Sequence, residues 1–346
     1  MKRIGCFGGS FNPIHTGHLE IAKQAIKQCG LQEVWFIPSL STPLKEKQSA
    51  SFAHRAEMIG LMIKPYRKMK LCTIEARLST PSYTINTVGF LREHYPGFTF
   101  LWIMGSDQSN QFDKWKDNKR LLEEIEFIVY PRNDADNIPL GMKKLEMAAI
   151  LPNSSTRVRE GIVSDTSATV VRHMIENQLY IESIAKSLVS PKRWLHVKSM
   201  CDLACQIAQS NHADIEKVRL AALFHDCAKS MKVDDLKAWL GFCYPAYIDQ
   251  HPSLWHQIVG AEIAKRKFQV RDPEVLAAIR HHVNGTHRSM TAMIVYLADK
   301  LDENRGYDSS AEIALAMKDV RKAFENVRAS QREYLLKEGV DVQSIE

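Results

Sequence analysis

The sequence lacks the features that mark secreted, membrane-spanning or disulfide-stapled proteins. It contains no basic segment followed by an apolar segment of the kind found in signal peptides, and no apolar run of membrane-spanning length. The seven cysteines form no CxxC pair, and Cys201 and Cys205 stand one helical turn apart, a spacing more typical of packing than of a disulfide or metal site. We therefore expect a cytoplasmic protein with reduced thiols.

A strong excess of charge of either sign is also missing. The net charge of +6 over 346 residues is too small and too scattered to indicate nucleic-acid binding, although it suits anionic substrates. No internal repeat or low-complexity segment is evident. A composition of 45% apolar and 25% charged residues is that of a globular protein, and the length suggests two domains.

The two halves of the chain carry different hydrophobic patterns. In residues 1–150, short apolar segments alternate with helical patterns, which predicts a parallel sheet covered by helices. From about residue 155 the strand signal nearly vanishes and amphipathic helical patterns follow one another. We predict a Rossmann-like α/β domain over residues 1–185 and an all-α domain over residues 186–346. The charged tail from Ser309 is expected to be a solvated helix packed on that domain, with a homodimer contact as the alternative.

The stretch GGSFNPIHTGHL, residues 8–19, joins the first predicted strand to the first predicted helix. Ligands of open parallel sheets bind beyond the carboxyl ends of the strands, so this turn is the first candidate site. Gly8 and Gly9 would let the backbone approach phosphates, while His15 and His18 could donate hydrogen bonds to phosphate oxygens or to transition-state charge. Such a site needs no protein nucleophile and could transfer the α-phosphoryl group of a triphosphate. The alternative is a glycine turn with two incidental histidines.

A second motif near the end of the first half is basic. In NSSTRVRE, residues 153–160, Ser155 and Thr156 can cap a helix and offer hydroxyls, and Arg159 follows one turn later on the same face. Arg157 and Arg159 add charge that suits a triphosphate. The alternative is a solvated basic helix start without a ligand.

The motif GGSFNPIHTGHL resembles the HxGH nucleotidyltransferase superfamily and, within it, the bacterial nicotinate-mononucleotide adenylyltransferases. Further motifs similar to theirs follow in order: TPLK at 42–45, SYTINT at 82–87, IMGSDQ at 103–108, KW at 114–115 and NSSTRVRE at 153–160. The resemblance spans about residues 1–182, with Asn86 in place of the usual aspartate and Asn153 in place of the usual isoleucine. Pantetheine-phosphate adenylyltransferase shares the superfamily motif and is the rival, but the SYTINT loop and the KW pair favour the nicotinate enzyme.

This resemblance implies the transfer of AMP from ATP to nicotinate mononucleotide with release of pyrophosphate, a step of NAD biosynthesis. Mg²⁺ would come with the ATP phosphates and be held mainly by substrate. The residues implied to stabilise charge are His15, His18, Lys45 and Arg159. The residues implied to bind substrate are Gly8, Gly9, Ser10, Phe11, Thr84, Asp107, Trp115, Ser155 and Thr156. On sequence alone, Trp115 could equally be a core aromatic and Asp107 a turn residue.

The second half contains ionisable residues within apolar helical patterns. His225 and Asp226 lie side by side in RLAALFHDCAKS, where burial of the pair would be costly unless something satisfied it. Further histidines and carboxylates recur in or beside helical patterns: His196, His256, His281, His282 and Asp299. Imidazole and carboxylate ligands in this number suit a mononuclear or dinuclear site for Fe or Mn, which could promote attack on phosphorus. Any one of these histidines by itself would more often be a core residue.

That series resembles the HD-domain phosphohydrolase superfamily. Four stretches, HDCAK, LWHQIVGA, AIRHHVNG and YLADKLDENR, are similar to bacterial HD-domain hydrolases that split diadenosine tetraphosphate symmetrically. The resemblance implies the metal ligands His196, His225, Asp226, His256, His282 and Asp299, with His225 and Asp226 also catalytic, and it places Lys229 and Arg305 at the substrate phosphates. His281 replaces a common aromatic, VNG replaces the usual TTG, and Asp302 replaces glutamate. The alternatives are a nucleotide-sensing module without turnover and the hydrolysis of another phosphoester.

Overall fold

The computed structural model describes residues 1–41, 50–133, 138–149, 152–302 and 308–337. The chain separates into two compact units, Met1–Val170 and Val171–Glu346, which are named the first unit and the second unit. The domain boundary predicted after residue 185 stays a prediction. Among the helices in the described ranges, none combines the length and the apolarity that a bilayer crossing requires.

The first unit is built on a six-stranded sheet in which every pair of neighbouring strands is parallel. The strands are β1 Lys2–Gly9, β2 Glu33–Pro38, β3 Met69–Leu71, β4 Phe98–Gly105, β5 Glu126–Tyr130 and β6 Lys143–Lys144. Their order is β3-β2-β1-β4-β5-β6. In chain order, β2 and β3 add to one side of β1, and β4, β5 and β6 add to its other side. Such a reversal opens a crevice at the carboxyl ends of the central strands, where ligands bind. The predicted Rossmann-like fold is confirmed.

Helices lie between the strands, as the hydrophobic pattern predicts. They are α1 Thr16–Gln28, α2 Phe52–Ile63, α3 Thr84–His94, α4 Ser106–Ser109, α5 Asn118–Glu124 and α6 Ser155–Arg159, while α7 Ala168–Glu176 spans the division between the units. Helix α1 buries Leu19, Ala22 and Ala25, which the helical period places along one face. It ends before Gly30, whose φ of +63° lies in the left-handed region that favours glycine.

The described part of the second unit is helical. Its helices are α8 Ile181–Ser187, α9 Pro191–Ser210, α10 Ile215–Phe224, α11 Val233–Cys243, α12 Trp255–Arg266, α13 Pro273–Arg280, α14 Met290–Leu301, α15 Ser310–Lys318 and α16 Val320–Lys337. Nearly every residue of α14 is buried, because it packs against α9, α10, α13 and α16. The predicted all-α domain is confirmed.

Serine caps fix the start of α9 and α14, two of the helices that supply site residues. Ser190 Oγ accepts the N–H of Arg193 at 3.3 Å at the start of α9, and Pro191 occupies the first turn. Ser289 Oγ accepts the N–H of Ala292 at 3.3 Å at the start of α14. Each capping bond gives a partner to an N–H that has none within the first turn of its helix.

The described part of the C-terminal tail, residues 308–337, contains two helices, α15 and α16. Helix α16 buries Val320, Ala323, Phe324 and Val327, and the ring of Phe324 lies 5.2 Å from that of Tyr296 in α14. Its other face is largely exposed. The first half of α16 is thus part of the core of the second unit.

Candidate functional site

The turn after β1 brings its two histidines into direct contact. The rings of His15 and His18 are buried, with centroids 3.7 Å apart. The backbone N–H of His15 donates to Nδ1 of His18 at 3.2 Å, so the proton of a neutral His18 ring lies on Nε2. Nδ1 of His15 is buried and makes no hydrogen bond to any described residue. The turn therefore holds a ring nitrogen that a ligand could engage.

The glycines of the turn make room for neighbouring side chains. A Cβ on Gly17 would lie 2.9 Å from Nδ1 of His15, so any larger residue would displace the ring. A Cβ on Gly8 would lie 2.5 Å from Cζ2 of Trp102, and one on Gly9 would lie 3.1 Å from the ring of Phe11. Packing alone thus requires small residues here, and the predicted approach of phosphates to Gly8 and Gly9 stays a prediction.

Helix α6 is docked onto this turn. Ser155 Oγ donates to the carbonyl of Pro13 at 2.8 Å, and Nη1 of Arg159 donates to the carbonyl of Asn12 at 2.5 Å. Nη2 of Arg159 also donates to Oγ1 of Thr156 at 3.0 Å. The fold thus brings together two predicted motifs that are far apart along the chain.

The cap of α6 lies one residue earlier than predicted. Ser154 caps the helix, since its Oγ accepts the N–H of Arg157 at 3.2 Å. The capping role predicted for Ser155 and Thr156 is therefore wrong, because serines stand side by side and the pattern does not choose between them. Arg157 forms an ion pair with Asp165 at 2.9 Å, so this chain already neutralises part of the charge predicted for a triphosphate.

A cavity of about 300 Å³ opens beside His15. It is lined by His15, Gly17, Ile21, Tyr130, Pro131, Arg132, Asn133, Met147, Pro152, Asn153 and Ser154. The motifs did not point to Arg132, which donates to Oδ1 of Asp107 at 2.8 Å and to the hydroxyl of Tyr130 at 3.0 Å. Its position two residues after β5 is the signal that could have found it, because β5 ends at the ligand-binding edge of the sheet.

The neighbours of His15 decide its charge. Burial, with a further contribution from the positive charge of Arg132, lowers the pKa of His15 to about 4. A ring with that pKa is neutral at pH 7, where it can form hydrogen bonds but carries no charge. Fixed positive charge at this site comes instead from Arg159 and from Arg132, whose charge is partly offset by Asp107.

The remaining predicted residues of the first unit lie at different depths. Phe11 is buried with its ring centroid 4.9 Å from that of His18, and Asp107 is half-exposed beside Arg132. Thr84 begins α3, and Trp115 is partly buried with its ring 5.4 Å from that of Phe112. The residues that line the cavity include neither Thr84 nor Trp115. Lys45 lies outside the described residues.

In the second unit, the six predicted metal ligands converge from within α9, α12 and α14 and from the short segments that follow α10 and α13. Asp226 lies at the centre: its Oδ1 is 3.3 Å from Nε2 of His256 and 3.5 Å from Nε2 of His282, and its Oδ2 is 3.5 Å from Nε2 of His225. Nε2 of His196 lies 3.2 Å from Oδ1 of Asp299. Two groups of three residues, which share Asp226, each have ligand atoms within 4.8 Å of one another.

Backbone and carboxylate partners aim the imidazoles at this centre. Nδ1 of His225 lies 2.7 Å from the carbonyl of Ala222, and Nδ1 of His282 lies 2.8 Å from that of Ile279. A carbonyl only accepts, so both rings carry a proton on Nδ1 and turn Nε2 inward, where the neutral ring has its lone pair. This tautomer is the one that ligates metals through Nε2.

The partner of His196 is Asp302, one of the departures noted in the sequence. Nδ1 of His196 lies 2.7 Å from Oδ2 of Asp302, whose Oδ1 accepts from Ser199 Oγ at 2.6 Å. A carboxylate behind a ligating imidazole orients the ring and raises its basicity. Aspartate therefore retains an oriented carboxylate where glutamate is usual.

The donor set fits a divalent metal ion. Nε2 of His196 and Nε2 of His225 are buried without a hydrogen-bond partner among the described residues, although carboxylate oxygens lie nearby. Burial lowers the pKa of His282 to about 4 and also lowers the pKa of His256, so both rings are neutral at pH 7. Neutral imidazoles with carboxylates are ligands for transition metals of the Fe, Mn and Zn type.

Three cationic side chains surround the ligands. A cavity of about 230 Å³ is lined by Arg193, Asp226, Lys229, His256, His282, Val283, Asp299 and Lys300. Arg193 lies 3.2 Å from Oδ2 of Asp226, and Lys300 lies 3.0 Å from Oδ2 of Asp299. The predicted Lys229 is present, with Nζ 3.4 Å from Nε2 of His256. Arg193 and Lys300 were not predicted, although Arg193 precedes His196 by one helical turn.

Two further predicted positions, His281 and Arg305, have other outcomes. His281 points its Nδ1 to Thr286 Oγ1 at 2.7 Å and stacks on His287, with ring centroids 5.6 Å apart. His281 therefore contacts Thr286 and His287, whereas the neighbouring His282 lies beside Asp226. Arg305 lies outside the described residues.

Comparison with known proteins assigns a family to each half of the chain. A cytidylyltransferase-like family model matches residues 6–161, and an HD domain model matches residues 193–304. An HD domain implies a divalent metal, which the ligand cluster of the second unit fits. Both resemblances stated from the sequence are confirmed.

Named relatives match over one or both halves. A protein named "Probable nicotinate-nucleotide adenylyltransferase/Ap4A hydrolase" from Mycoplasma genitalium is 30% identical over 338 residues, covering 93% of this chain and 96% of that protein. A protein of the same name from Mycoplasma pneumoniae is 26% identical over 339 residues, or 92% of this chain and 96% of that protein. A "Probable nicotinate-nucleotide adenylyltransferase" from Porphyromonas gingivalis is 35% identical over 195 residues, which are 55% of this chain and 98% of that protein. The chain therefore belongs to the family of two-domain nicotinate-nucleotide adenylyltransferase/Ap4A hydrolases.

Proposed function

We propose that the first unit transfers AMP from ATP to nicotinate mononucleotide and that the second unit hydrolyses diadenosine tetraphosphate to two ADP. The adenylyl transfer is supported above all by the docking of Ser155 and Arg159 onto the turn that holds His15 and His18. The hydrolysis is supported by the convergence of the six predicted ligands, with Asp226 at their centre. The relatives that match this chain over nearly their whole length carry the same pair of names.

In the adenylyl transfer, a phosphate oxygen of nicotinate mononucleotide attacks the α-phosphorus of ATP. A bond from that oxygen to phosphorus forms, the bond to the bridging oxygen breaks, and pyrophosphate leaves. Because His15 is neutral at pH 7, its part is to form hydrogen bonds, while Arg159 and Arg132 offset the charge on the phosphates. Mg²⁺ bound to ATP supplies further neutralisation of the leaving pyrophosphate.

The roles of the other predicted residues follow this scheme. His18 shares the hydrogen-bonding role with His15, and Lys45 is proposed to contact phosphate. Substrate binding is proposed for the turn and α6 residues Gly8, Gly9, Ser10, Phe11, Ser155 and Thr156, and for Thr84, Asp107 and Trp115. The proposed location is the cytoplasm.

In the hydrolysis, water adds to one of the two central phosphorus atoms and the bridging P–O bond breaks, which releases two ADP. His196, His225, Asp226, His256, His282 and Asp299 would hold Fe or Mn, and such ions supply Lewis-acid activation of the water and the phosphorus. Arg193, Lys229 and Lys300 line the cavity and are suited to bind the polyphosphate. Arg305 is proposed for the same task.

One experiment separates the two activities within the full chain. Wild-type protein is assayed for adenylyl transfer to nicotinate mononucleotide, nicotinamide mononucleotide and phosphopantetheine, and for hydrolysis of a nucleotide panel after loading with Fe²⁺ or Mn²⁺. The double variant His225→Ala/Asp226→Ala should lose hydrolysis and keep adenylyl transfer. His251→Ala is the matched control, because His251 is exposed and should leave both activities unchanged.

The outcomes decide among the alternatives. Adenylylation of phosphopantetheine alone would replace the first assignment with the rival enzyme. Binding of diadenosine tetraphosphate without turnover would make the second unit a sensing module, and preferred hydrolysis of another phosphoester would change its substrate. Hydrolysis that persists in the double variant would contradict the proposed metal site.

A further inference from the structure

Arg55, in the first turn of α2, is a fully buried arginine beside the turn that follows β1. Its side chain is 1% exposed. The guanidinium donates to three backbone carbonyls: Nη1 to Ser10 at 2.7 Å, Nη2 to Ser39 at 2.8 Å and Nε to Ala50 at 3.3 Å. Ser10 directly follows β1, and Ser39 directly follows β2. One side chain therefore holds the loops at the carboxyl ends of two neighbouring strands.

The bond to Ser10 also sets the direction of the next N–H. In a trans peptide the carbonyl and the N–H of the following residue point in opposite directions. The cis peptide bonds of the described residues lie elsewhere, at Asn12-Pro13 and Thr80-Pro81. Because the Ser10 carbonyl points to Arg55, the N–H of Phe11 points away from the guanidinium.

In the loop after β2, the carbonyl and the N–H of one peptide also point in opposite directions, and the N–H finds partners on the far side. Nη2 of Arg55 binds the Ser39 carbonyl, and the N–H of Leu40, in the same peptide, points to the other side. There it donates to Oε2 of Glu75 at 3.3 Å and Oγ of Ser82 at 3.2 Å. The peptide after Ser10 has the equivalent orientation at the loop that carries the site.

Phe11 needs such support because its backbone is strained. Its φ of +46° lies in the left-handed region, which costs a non-glycine residue about 1 kcal/mol or more. Strain of this kind persists only where the surroundings hold it. The buried ring of Phe11 supplies one restraint and the bond from Arg55 to Ser10 supplies another.

We propose that Arg55 is a positioning residue for adenylyl transfer, which fixes the peptide between Ser10 and Phe11 so that its N–H faces a phosphate of ATP. This inference rests on the proposed function of the first unit. Lysine is not an equivalent residue, since one ammonium cannot reproduce a planar fork that spans three carbonyls.

The test compares wild type, Arg55→Ala and Arg55→Lys as full-length proteins. Steady-state formation of nicotinate-adenine dinucleotide is measured with and without guanidinium chloride at millimolar concentration, and circular dichroism checks the fold. We expect kcat to fall by about 100-fold in both variants, the order of loss that follows from a displaced reacting group, with little change in the KM for ATP. Guanidinium should restore part of kcat in Arg55→Ala and none in Arg55→Lys, where the lysine fills the space.

The control variant is Arg120→Ala, which removes an exposed arginine paired with Glu124. It should keep wild-type kinetics with and without guanidinium. The proposal is overturned by folded Arg55 variants with wild-type kcat, by a loss without guanidinium rescue, or by variants whose first unit is unfolded at the assay temperature, since that makes the role structural. Failure of the wild-type protein to adenylylate nicotinate mononucleotide would refute the proposed function itself and is read from the wild-type arm alone.

Discussion

At the scale of the residue, a histidine that carries no charge at pH 7 stands in the first site. Burial and the charge of Arg132 both disfavour the imidazolium of His15, which lowers its pKa to about 4. We expect this ring to titrate near pH 4 in the nucleotide-free protein, and bound phosphates to raise that value. NMR of ¹³C-labelled histidines, with His15→Asn to assign the signal, measures both, and titration close to pH 6.5 without nucleotide would contradict the expectation.

The same shift has a consequence for stability. Since the pKa of His15 is lowered from 6.5 to about 4 by folding, the unfolded chain takes up the proton first as the pH falls. The free energy of unfolding of the first unit should therefore decrease from pH 6.5 toward pH 4. His15→Asn should flatten this dependence over that range, as calorimetry across the pH series will show.

Gly17 leaves the space that the ring of His15 occupies, so its role is steric. Gly17→Ala would place a Cβ 2.9 Å from Nδ1 of His15, so we expect the ring to move and kcat for adenylyl transfer to fall by about 100-fold. Gly60→Ala, in α2, is the matched control because its Cβ would meet nothing within 4 Å. The control should keep its activity and gain about 0.5–1 kcal/mol of stability. Equal kinetics in the two variants would show that Gly17 is not needed for the placement of His15.

In the second site, Asp302 lies behind His196, one of the proposed metal ligands. Removing the carboxylate behind a ligating imidazole costs about 10–100-fold in metal affinity, and we expect this loss for Asp302→Ala. Calorimetric titration with Mn²⁺ measures this affinity. Asp202→Ala, an exposed change on α9, the helix of His196, should bind Mn²⁺ as wild type does.

At the scale of the element, helix period explains how distant groups meet. Arg193, His196 and Ser199 recur every three residues along α9, so the helix presents them on one face toward Asp226, Asp299 and Asp302. The helical period of α9 can be read from the sequence. The identity of the helices that α9 packs against cannot, because contact between elements depends on packing rather than on a local period.

The short helix α6 is an element whose docking depends on its cap. Ser154→Ala removes the bond to Arg157, which costs about 1 kcal/mol at a helix start and loosens α6 on the turn. We expect the KM for ATP to rise about fivefold, the factor that corresponds to this energy, with kcat little changed. Ser289→Ala, which removes the cap of α14 in the second unit, should leave the KM for ATP unchanged. An unaltered KM in Ser154→Ala would mean that α6 does not contribute to nucleotide binding.

At the scale of the whole molecule, the two candidate sites offer different means of binding phosphate. The first unit offers hydrogen bonds and arginines, and the second offers ligands for cations. Chelation and dialysis should therefore abolish hydrolysis and lower the melting temperature of the second unit, since a ligand at 100 times its Kd stabilises by about 2.7 kcal/mol. Adenylyl transfer, assayed after Mg²⁺ is restored, should survive. Calorimetry and both assays on one sample check this, and a lasting loss of adenylyl transfer would contradict it.

Much of the fold followed from local patterns, whereas the set of candidate metal ligands followed from the resemblance to HD-domain hydrolases. The alternation of strands and helices predicts the parallel sheet, and the pair of His225 and Asp226 in an apolar helix already requires a partner. The choice of Ser154 over Ser155 as a cap shows the limit, because neighbouring residues of one type carry the same pattern.

The sequence by itself determined which chemistry the two halves can support, because motif residues and helical spacing are properties of adjacent positions. Only the tertiary structure decided that Arg132 lies close enough to lower the pKa of His15, that Asp302 stands behind His196, and that Arg55 holds the turn after β1. Each of these pairs is distant along the chain and close in space. Electrostatic and hydrogen-bonding energies depend on that spatial distance, which the packing of helices and strands sets.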